Sequence, residues 1–75
     1  MKRIEIVAEV AGRVWRIEVR PGVQLAADGT IFILESMKME IPVVTPLSGK
    51  LIELHVEEGD AVLEGDVVAA VAVVD

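Results

Sequence analysis

Apolar and polar residues alternate along two stretches of the chain. In residues 15–20 apolar side chains stand at every second position, and residues 52–57 repeat the alternation. A period of two with one apolar face predicts a half-buried β-strand. The continuous apolar runs 31–34 and 67–73 follow Gly and Asp residues, which is typical of buried strands.

The sequence repeats itself with an offset of 37 residues. Gly12 and Gly22 recur as Gly49 and Gly59, and the alternating stretches recur with the same spacing. Neither half could bury its apolar face alone. The repeat therefore predicts two β-units, related by a pseudo-twofold axis, that enclose one core between two sheets.

Residues typical of turns, Gly, Pro and Asp, separate the short apolar runs, and no run shows the 3.6-residue period of a helix. This pattern predicts an all-β fold. We expect a flattened barrel-sandwich of two small four-stranded antiparallel sheets, with strands at residues 4–8, 13–19, 24–26, 31–35, 40–44, 50–56, 61–63 and 67–73. The alternation predicts a core that contains Trp15, Ile17, Val19, Ile33, Leu54, Val56 and Val71. Turn conformations are expected at Gly12, Gly22, Gly49, Gly59 and Gly65.

Length and composition narrow the class of protein. A chain of 75 residues makes one domain, predicted to span 1–75, with too little room for both a core and a substrate pocket. A carrier, binding or structural module is therefore expected, not an enzyme. The net charge of −6 argues against nucleic acid as a partner. The longest apolar run, residues 67–74, is far shorter than the roughly 20 residues that span a bilayer, so no membrane partner is expected. The absence of cysteine is compatible with a reducing compartment, and we expect a cytoplasmic location.

The sequence offers no pattern of a catalytic or metal site. It contains no cysteine, and its single histidine, His55, falls on the polar face of a strand, where we expect it at the surface. No nucleophile–base pair, metal-ligand spacing or Gly-rich phosphate loop is present. We therefore predict no catalytic residue and no metal ligand in this chain.

The segment 35–40, Glu-Ser-Met-Lys-Met-Glu, lies between two apolar strand runs. It is expected to form the tip of a hairpin, with Lys38 projecting into solvent. Two methionines are unusual in an exposed turn, where Gly, Asn, Asp and Pro are common. One interpretation is that Met37 or Met39 packs inward, and the other is that both contact a partner protein, for which flexible methionine is suited.

The Met-Lys-Met triplet after Glu35 and Ser36 resembles the attachment motif of biotinyl domains, in the biotinyl/lipoyl attachment family. The resemblance covers almost the whole chain, because the segments 46–51 and 58–66 are similar to the downstream glycine frames of that family. Ser36 and Thr45 stand where the family commonly has Ala, and Asp28-Gly29 inverts its usual Gly-Asp. The single offset leaves no room for the protruding thumb of some members, so the chain looks like the compact, thumbless type.

The resemblance implies that a biotin protein ligase attaches biotin covalently to Lys38. It also implies that the flanking residues Glu35, Ser36, Met37, Met39 and Glu40 are read by the ligase. The cofactor would carry a carboxyl group from a biotin carboxylase to a carboxyltransferase, with an acyl-CoA as the expected acceptor. Lipoate is the alternative cofactor, although lipoyl domains typically show Asp-Lys-Ala at this turn. A third alternative is an unmodified adaptor domain of the same fold.

The offset of the repeat also predicts where the lysine lies relative to the chain ends. Adding 37 to the position of Lys38 gives Asp75, and subtracting 37 gives Met1. The pseudo-twofold axis should therefore place the hairpin tip and the two termini at opposite ends of the domain.

Overall fold

The computed structural model describes residues 2–73, and this part of the chain forms eight β-strands. These are β1 Lys2–Val7, β2 Gly12–Ile17, β3 Gln24–Leu25, β4 Thr30–Ser36, β5 Met39–Val44, β6 Gly49–Leu54, β7 Ala61–Val62 and β8 Val67–Val73. Each strand coincides with one of the eight predicted strands to within two residues. The all-β prediction is confirmed.

The strands build two four-stranded antiparallel sheets. Sheet I has the order β1-β8-β6-β3, and sheet II has the order β5-β4-β2-β7. An offset of 37 residues converts each strand of one sheet into the matching strand of the other, and it extends to single hydrogen bonds. Gly22 N–H donates to the Leu51 carbonyl at 2.8 Å, and Gly59 N–H donates to the Val14 carbonyl at the same distance. The predicted pseudo-twofold symmetry is confirmed.

The core lies between the two sheets, and its residues are also related in pairs by the offset of 37. Val14 and Leu51 are related by the offset, and each is at most 1% exposed. Phe32 is fully buried, and its counterpart in the other half is the equally buried Ala69. The two halves therefore supply side chains of different size at equivalent core positions, an alternation of large and small residues that suits a narrow space between two sheets. Thr45, which is also fully buried, satisfies its hydroxyl by donating to the Leu47 carbonyl at 2.7 Å.

The predicted strand phase was right in part. Val56 and Val71 are buried as expected, whereas Trp15 is 47% exposed, so the prediction of a buried Trp15 was wrong. The predicted core residues that are only partly buried are Ile17, Val19, Ile33 and Leu54. Of these, Ile17, Val19 and Leu54 pack against the core. Trp15 points outward because of a β-bulge: Val14 pairs with Leu34 and Arg16 pairs with Ile33, which leaves Trp15 unpaired. One extra residue reverses the alternation along the rest of a strand.

Three of the five predicted turn glycines adopt turn conformations. Gly22, Gly59 and Gly65 have φ of +106°, +94° and +90°. Gly12 and Gly49 instead begin strands β2 and β6, so the prediction of turn conformations there was wrong. Both are needed for close backbone approach, since a Cβ on Gly49 would overlap the carbonyl oxygen of Ala72.

The inversion of Asp28-Gly29 relative to Gly65-Asp66 also has a backbone cause. The first position of each pair requires positive φ, which Asp28 adopts at +65° and Gly65 at +90°. Aspartate is one of the few residues with a side chain that visits this region readily. Asp66, at the second position, accepts a hydrogen bond from Leu63 N–H at 2.9 Å.

The hairpin tip and the described chain ends point away from one another. β1 ends at Val7 and β5 ends at Val44, and these two ends lie close together, as both residues line one surface cavity. The outer ends are the Lys2–Val73 pair in sheet I and the Ser36–Met39 pair in sheet II. Met1 and Asp75, for which the same layout was predicted, lie outside the described residues. Within residues 2–73, no helix has the length and apolarity that a membrane span requires.

Candidate functional site

A two-residue turn joins β4 to β5 at the tip of a hairpin. Ser36 and Met39 form the last cross-strand pair, and Met37 and Lys38 make the turn between them. Both turn residues have positive φ, +52° at Met37 and +66° at Lys38. A two-residue connection with positive φ at both positions is a type I′ turn, whose twist matches that of the strands it joins. The predicted hairpin tip at Lys38 is confirmed.

The turn holds these angles with residues that do not favour them. Type I′ turns prefer Asn-Gly or Asp-Gly, and a left-handed conformation costs other residues roughly 1–2 kcal/mol each. The ladder below the turn offsets this cost, because six cross-strand pairs run from Thr30–Val44 to Ser36–Met39. Leu34, fully buried in β4, fixes which face of the hairpin points to the core. The lysine is therefore held on a rigid base.

The side chains at the tip are open to solvent. Met37 is 91% exposed and Met39 is 62% exposed, so neither methionine packs into the core. The interpretation that one of them packs inward is wrong, and contact with a partner protein stays a prediction. Lys38 is also exposed, whereas Ser36 is half-buried. The two methionines and the lysine thus form one exposed, apolar and cationic group at the tip of the hairpin.

Two carboxylates lie directly below the turn. Glu35 and Glu40 face one another as a cross-strand pair, and both are exposed. Like charges directly opposite in a sheet are destabilising. On its other side, Glu35 pairs with Arg13 of β2. The three neighbouring positions across the sheet thus hold two carboxylates and one cation. Such an arrangement costs stability, and it gives the base of the turn an acidic character that a basic partner surface would complement.

Gly12 supports the hairpin from the neighbouring strand, and sequence reasoning missed this role. A Cβ at Gly12 would come within 2.5 Å of the Glu35 carbonyl oxygen and 3.1 Å of Leu34 Cγ. Only glycine allows β2 to lie this close to β4, three residues before the lysine. The available signal was the recurrence of Gly12 and Gly49 at the repeat offset, each directly before a predicted strand.

The geometry at Lys38 fits a covalently attached cofactor. Among the hydrogen bonds and ion pairs within residues 2–73, none involves the Lys38 amine. A primary amine that is exposed, unpaired in this part of the chain and fixed by a rigid turn can be reached by another protein and can carry a long arm. An attached arm would begin at the outermost point of the hairpin, with no neighbouring strand to obstruct it.

The rest of the described surface gives no second site of the same kind. A cavity of about 320 Å³ between β1 and β5 is lined by Glu5, Val7 and Pro46 among others, and it does not include Lys38. His55 is exposed, as predicted, with its Nε2 2.9 Å from Glu53 Oε1. Across residues 2–73, no three His, Cys, Asp or Glu side chains are placed to hold a metal ion.

Comparisons with known proteins agree with this geometry. The chain matches the family model described as biotin-requiring enzyme over residues 3–71. It is 48% identical over 59 residues to the biotin/lipoyl attachment protein of Bacillus subtilis, which covers 79% of this chain and 81% of that protein. It is 34% identical over 68 residues to the biotinylated protein TB7.3 homolog of Mycobacterium leprae, with 91% of this chain and 96% of that protein covered.

A solved structure shows the same architecture. The Kluyveromyces lactis urea carboxylase superposes with a TM-score of 0.90 at 30% identity, over 96% of this chain and 6% of that enzyme. The chain belongs to the biotin/lipoyl attachment family of biotin-requiring enzymes, and it corresponds to the biotin-carrier domain of carboxylases. The family resemblance that the Met-Lys-Met triplet and its glycine frames indicated is confirmed.

Proposed function

We propose that residues 1–75 form a single, non-catalytic biotin carboxyl carrier domain with Lys38 as its attachment residue. The observation that carries the proposal is the position of Lys38 in the outermost, type I′ turn of a rigid hairpin, with an exposed methionine on each side. Glu35, Ser36, Met37, Met39 and Glu40 would form the surface that a biotin protein ligase reads. The names of the relatives support biotin over lipoate, since one of them is a biotinylated protein.

For the attachment step, this chain must present the Lys38 amine in an accessible and fixed position. The neutral Lys38 amine attacks the carbonyl carbon of a biotin adenylate held by the ligase. An N–C amide bond forms, the bond from that carbon to the phosphate oxygen breaks, AMP leaves, and the amine gives up one proton. The rigid turn supplies the orientation, because it presents the nucleophile without a competing partner among the described residues.

Intact mass and peptide mapping test the site. The protein is expressed with an active biotin protein ligase, a lipoyl ligase and both vitamins. We expect one biotin, on Lys38, and none in Lys38→Arg, because a guanidinium remains charged and is no acyl acceptor. Lys50→Arg is the matched control, an exposed strand lysine whose loss should leave the modification intact. Biotin on Lys2 or Lys50, or biotin that persists in Lys38→Arg, would contradict the assignment.

The choice between biotin and lipoate has its own test. The Bacillus subtilis relative is named for both cofactors, so lipoate is retained as the second candidate. Met37→Asp together with Met39→Ala rebuilds the Asp-Lys-Ala triplet typical of lipoyl domains, at two exposed positions. We expect the wild type to take biotin and little or no lipoate, and the double variant to lose biotin. Lipoate alone on wild-type Lys38 would keep the site and overturn the carrier function.

The carrier role requires two partner enzymes. Attached biotin accepts a carboxyl group at a biotin carboxylase and releases it at a carboxyltransferase, and the protein contributes an effective concentration of cofactor at both sites. The acceptor that we propose is an acyl-CoA, and a cytoplasmic location for these steps stays a prediction. Biotinylated protein, a biotin carboxylase, ATP and labelled bicarbonate should yield labelled carrier, and Lys38→Arg should not be labelled.

Transfer from the labelled carrier then identifies the acceptor. A carboxyltransferase from the same source is offered acetyl-CoA, propionyl-CoA, pyruvate and urea. Label that moves to an acyl-CoA supports the proposed acceptor. Label that moves to pyruvate or urea alone replaces it, and leaves the carrier function in place.

A further inference from the structure

The two sheets carry different outer faces, although their backbones match. On sheet I, Arg3 and Glu53 form two hydrogen bonds of 2.9 Å each across β8. Their neighbours on β8 are Ala72 beside Arg3 and Ala70 beside Glu53, which are 6% and 0% exposed. The ion pair and the small alanines therefore cover the centre of this face, and Ile52 in the bulge of β6 remains 36% exposed.

Sheet II has the same positions and an open face. The repeat places Glu40 where sheet I has Arg3, and Arg16 where it has Glu53. In the described structure these two do not meet, because Arg16 lies 3.7 Å from Glu18 instead. Ile33 and Glu35 stand between them in place of alanines. No ion pair therefore crosses this face in the described structure, and the face has a basic side along β2 and an acidic side that leads to the Lys38 turn.

Trp15 is the largest apolar group on this open face. It occupies the bulge of β2 and is 47% exposed. Two hydrogen bonds hold the strand on either side of it: Arg13 donates to the Gly59 carbonyl at 2.8 Å, and Ile17 N–H donates to Glu58 Oε2 at 3.0 Å. The second of these bonds cannot be repeated in sheet I, because the repeat places a proline at position 21 where this half has the glutamate.

An exposed tryptophan on a fixed backbone is the kind of residue that anchors a protein interface. It offers a large apolar area and loses little conformational freedom on binding. Single exposed apolar residues are ordinary on protein surfaces. The bulge differs from that case because its tryptophan lies on the sheet face where the described structure has no counterpart of the Arg3–Glu53 pair, and because that face runs to the hairpin turn through Ile33 and Glu35.

We propose that the outer face of sheet II, centred on Trp15, is the docking surface for the biotin protein ligase while Lys38 lies in the ligase's active site. This inference rests on the proposed function. The ligase must recognise the lysine before any cofactor is present, so it has to read protein surface, whereas a carboxylase site can hold biotin itself. The complementary ligase surface has an apolar recess for the indole, cations opposite Glu35 and Glu40, and an anion opposite Arg16.

The repeat provides a matched control for the test. Ile52 is the pseudo-twofold counterpart of Trp15, lies in the corresponding bulge of β6 and is 36% exposed. Trp15→Ser and Ile52→Ser therefore make similar changes to similar backbones, one on each sheet. Initial rates of biotin incorporation into each variant are measured with limiting ligase over a range of carrier concentrations, after thermal melts confirm that both variants fold.

We expect Trp15→Ser to lower kcat/KM for biotinylation about tenfold, mainly through KM, as loss of an interface anchor does. Ile52→Ser should stay within about twofold of the wild type. Arg16→Glu, which reverses one exposed charge on the same face, should also raise KM, and it replaces Trp15→Ser if that variant fails to fold. In addition, the indole N–H resonance of the single tryptophan should shift when ligase is added.

The outcomes distinguish an error in the proposed docking surface from an error in the proposed biotin-carrier function. If Trp15→Ser, or Arg16→Glu in its place, is biotinylated as fast as the wild type, the docking surface is wrong and the proposed function stands. Equal losses in Trp15→Ser and Ile52→Ser also overturn it, because the effect would then belong to the bulges in general. If the wild type takes no biotin, the proposed function itself fails.

Discussion

The hairpin β4–β5 and the strand pair β8–β1 are the same structural unit built twice. Thr30 pairs with Val44 and Phe32 with Val43, which leaves a bulge at Ile31. The other unit has the corresponding bulge at Val68. One unit ends in the Lys38 turn, and the other ends at the Lys2–Val73 pair. The scaffold is thus duplicated, whereas the candidate site exists in only one copy.

The differences between the two units show where the chain departs from its own repeat. Inside, β4 supplies the bulky Phe32 and β8 the small Ala69. Outside, β4 carries Ile33 and Glu35, and β8 carries alanines under an ion pair. The unit that presents the lysine therefore also supplies the larger share of core volume. A rigid base for an exposed, strained turn requires this, because strain in a turn persists only where the surrounding packing over-determines it.

The largest expected effect concerns that core volume. Phe32→Ala should lower the free energy of unfolding by about 3–5 kcal/mol, as truncations of buried aromatic residues do. Because small domains are stable by only about 5–15 kcal/mol, this change removes a large fraction of the stability. Urea denaturation measures the loss. Ile33→Ala, one position along and half-buried on the outer face, is the control and should cost clearly less. Equal losses would show that the core is not centred on Phe32.

The bulges explain which parts of the fold could be predicted from the sequence. Alternation and the repeat are local patterns, and they were sufficient for eight strands, two sheets and the pseudo-twofold axis. A bulge depends on the pairing of two strands, so alternation within one strand does not reveal it. Trp15 was misplaced for this reason. The available signal was the apolar doublet Val14-Trp15, which recurs as Leu51-Ile52 and breaks strict alternation at one repeat position.

The candidate site was predictable to a similar degree. The Met-Lys-Met triplet between two apolar runs was enough to place Lys38 at a hairpin tip. The cross-strand pairing of Glu35 with Glu40, and the approach of Gly12 to the backbone below the turn, depend on register and distance. Neither quantity is encoded in the spacing of residues along one strand.

The next effect compares the two close-approach glycines. Gly12→Ala and Gly49→Ala should each cost about 1–3 kcal/mol, because a new methyl group overlaps the carbonyl of the neighbouring strand. Their consequences at the tip should differ. Gly12→Ala displaces the backbone at Glu35, so amide resonances should shift through to Met39 and the biotinylation rate should fall. Gly49→Ala should leave those resonances in place. Identical shifts at the tip in both variants would contradict a local supporting role for Gly12.

A smaller effect, of opposite sign, is expected in the turn itself. Met37 has φ of +52°, and Asn tolerates this conformation better than Met does. Met37→Asn should therefore raise the free energy of unfolding by about 1 kcal/mol. Biotinylation should slow, because the exposed methionine is lost. Thermal melts and incorporation rates on one preparation measure both quantities. A variant that is less stable than the wild type would show that the turn is not strained at this position.

The smallest expected effect lies on the sheet without the site. Hydrogen bonds from Arg3, and then from His55, lower the pKa of Glu53 from 4.5 to about 2. A carboxylate whose folded pKa is lowered contributes stability above its ordinary pKa, and this contribution is lost as the pH falls from about 4.5 through about 2. Glu53→Gln should therefore flatten the decline of stability in this window. The difference should be small, because exposed ion pairs contribute little. The difference should also shrink at high salt.

Urea denaturation at several pH values measures this difference in stability, and the wild-type and Glu53→Gln curves should converge at the acid end. Curves that stay parallel from pH 6 to pH 2 would show that ionisation of Glu53 in the pair over Ala70 and Ala72 contributes nothing to folding, and that the small side chains of β8 alone account for the packing at the centre of sheet I.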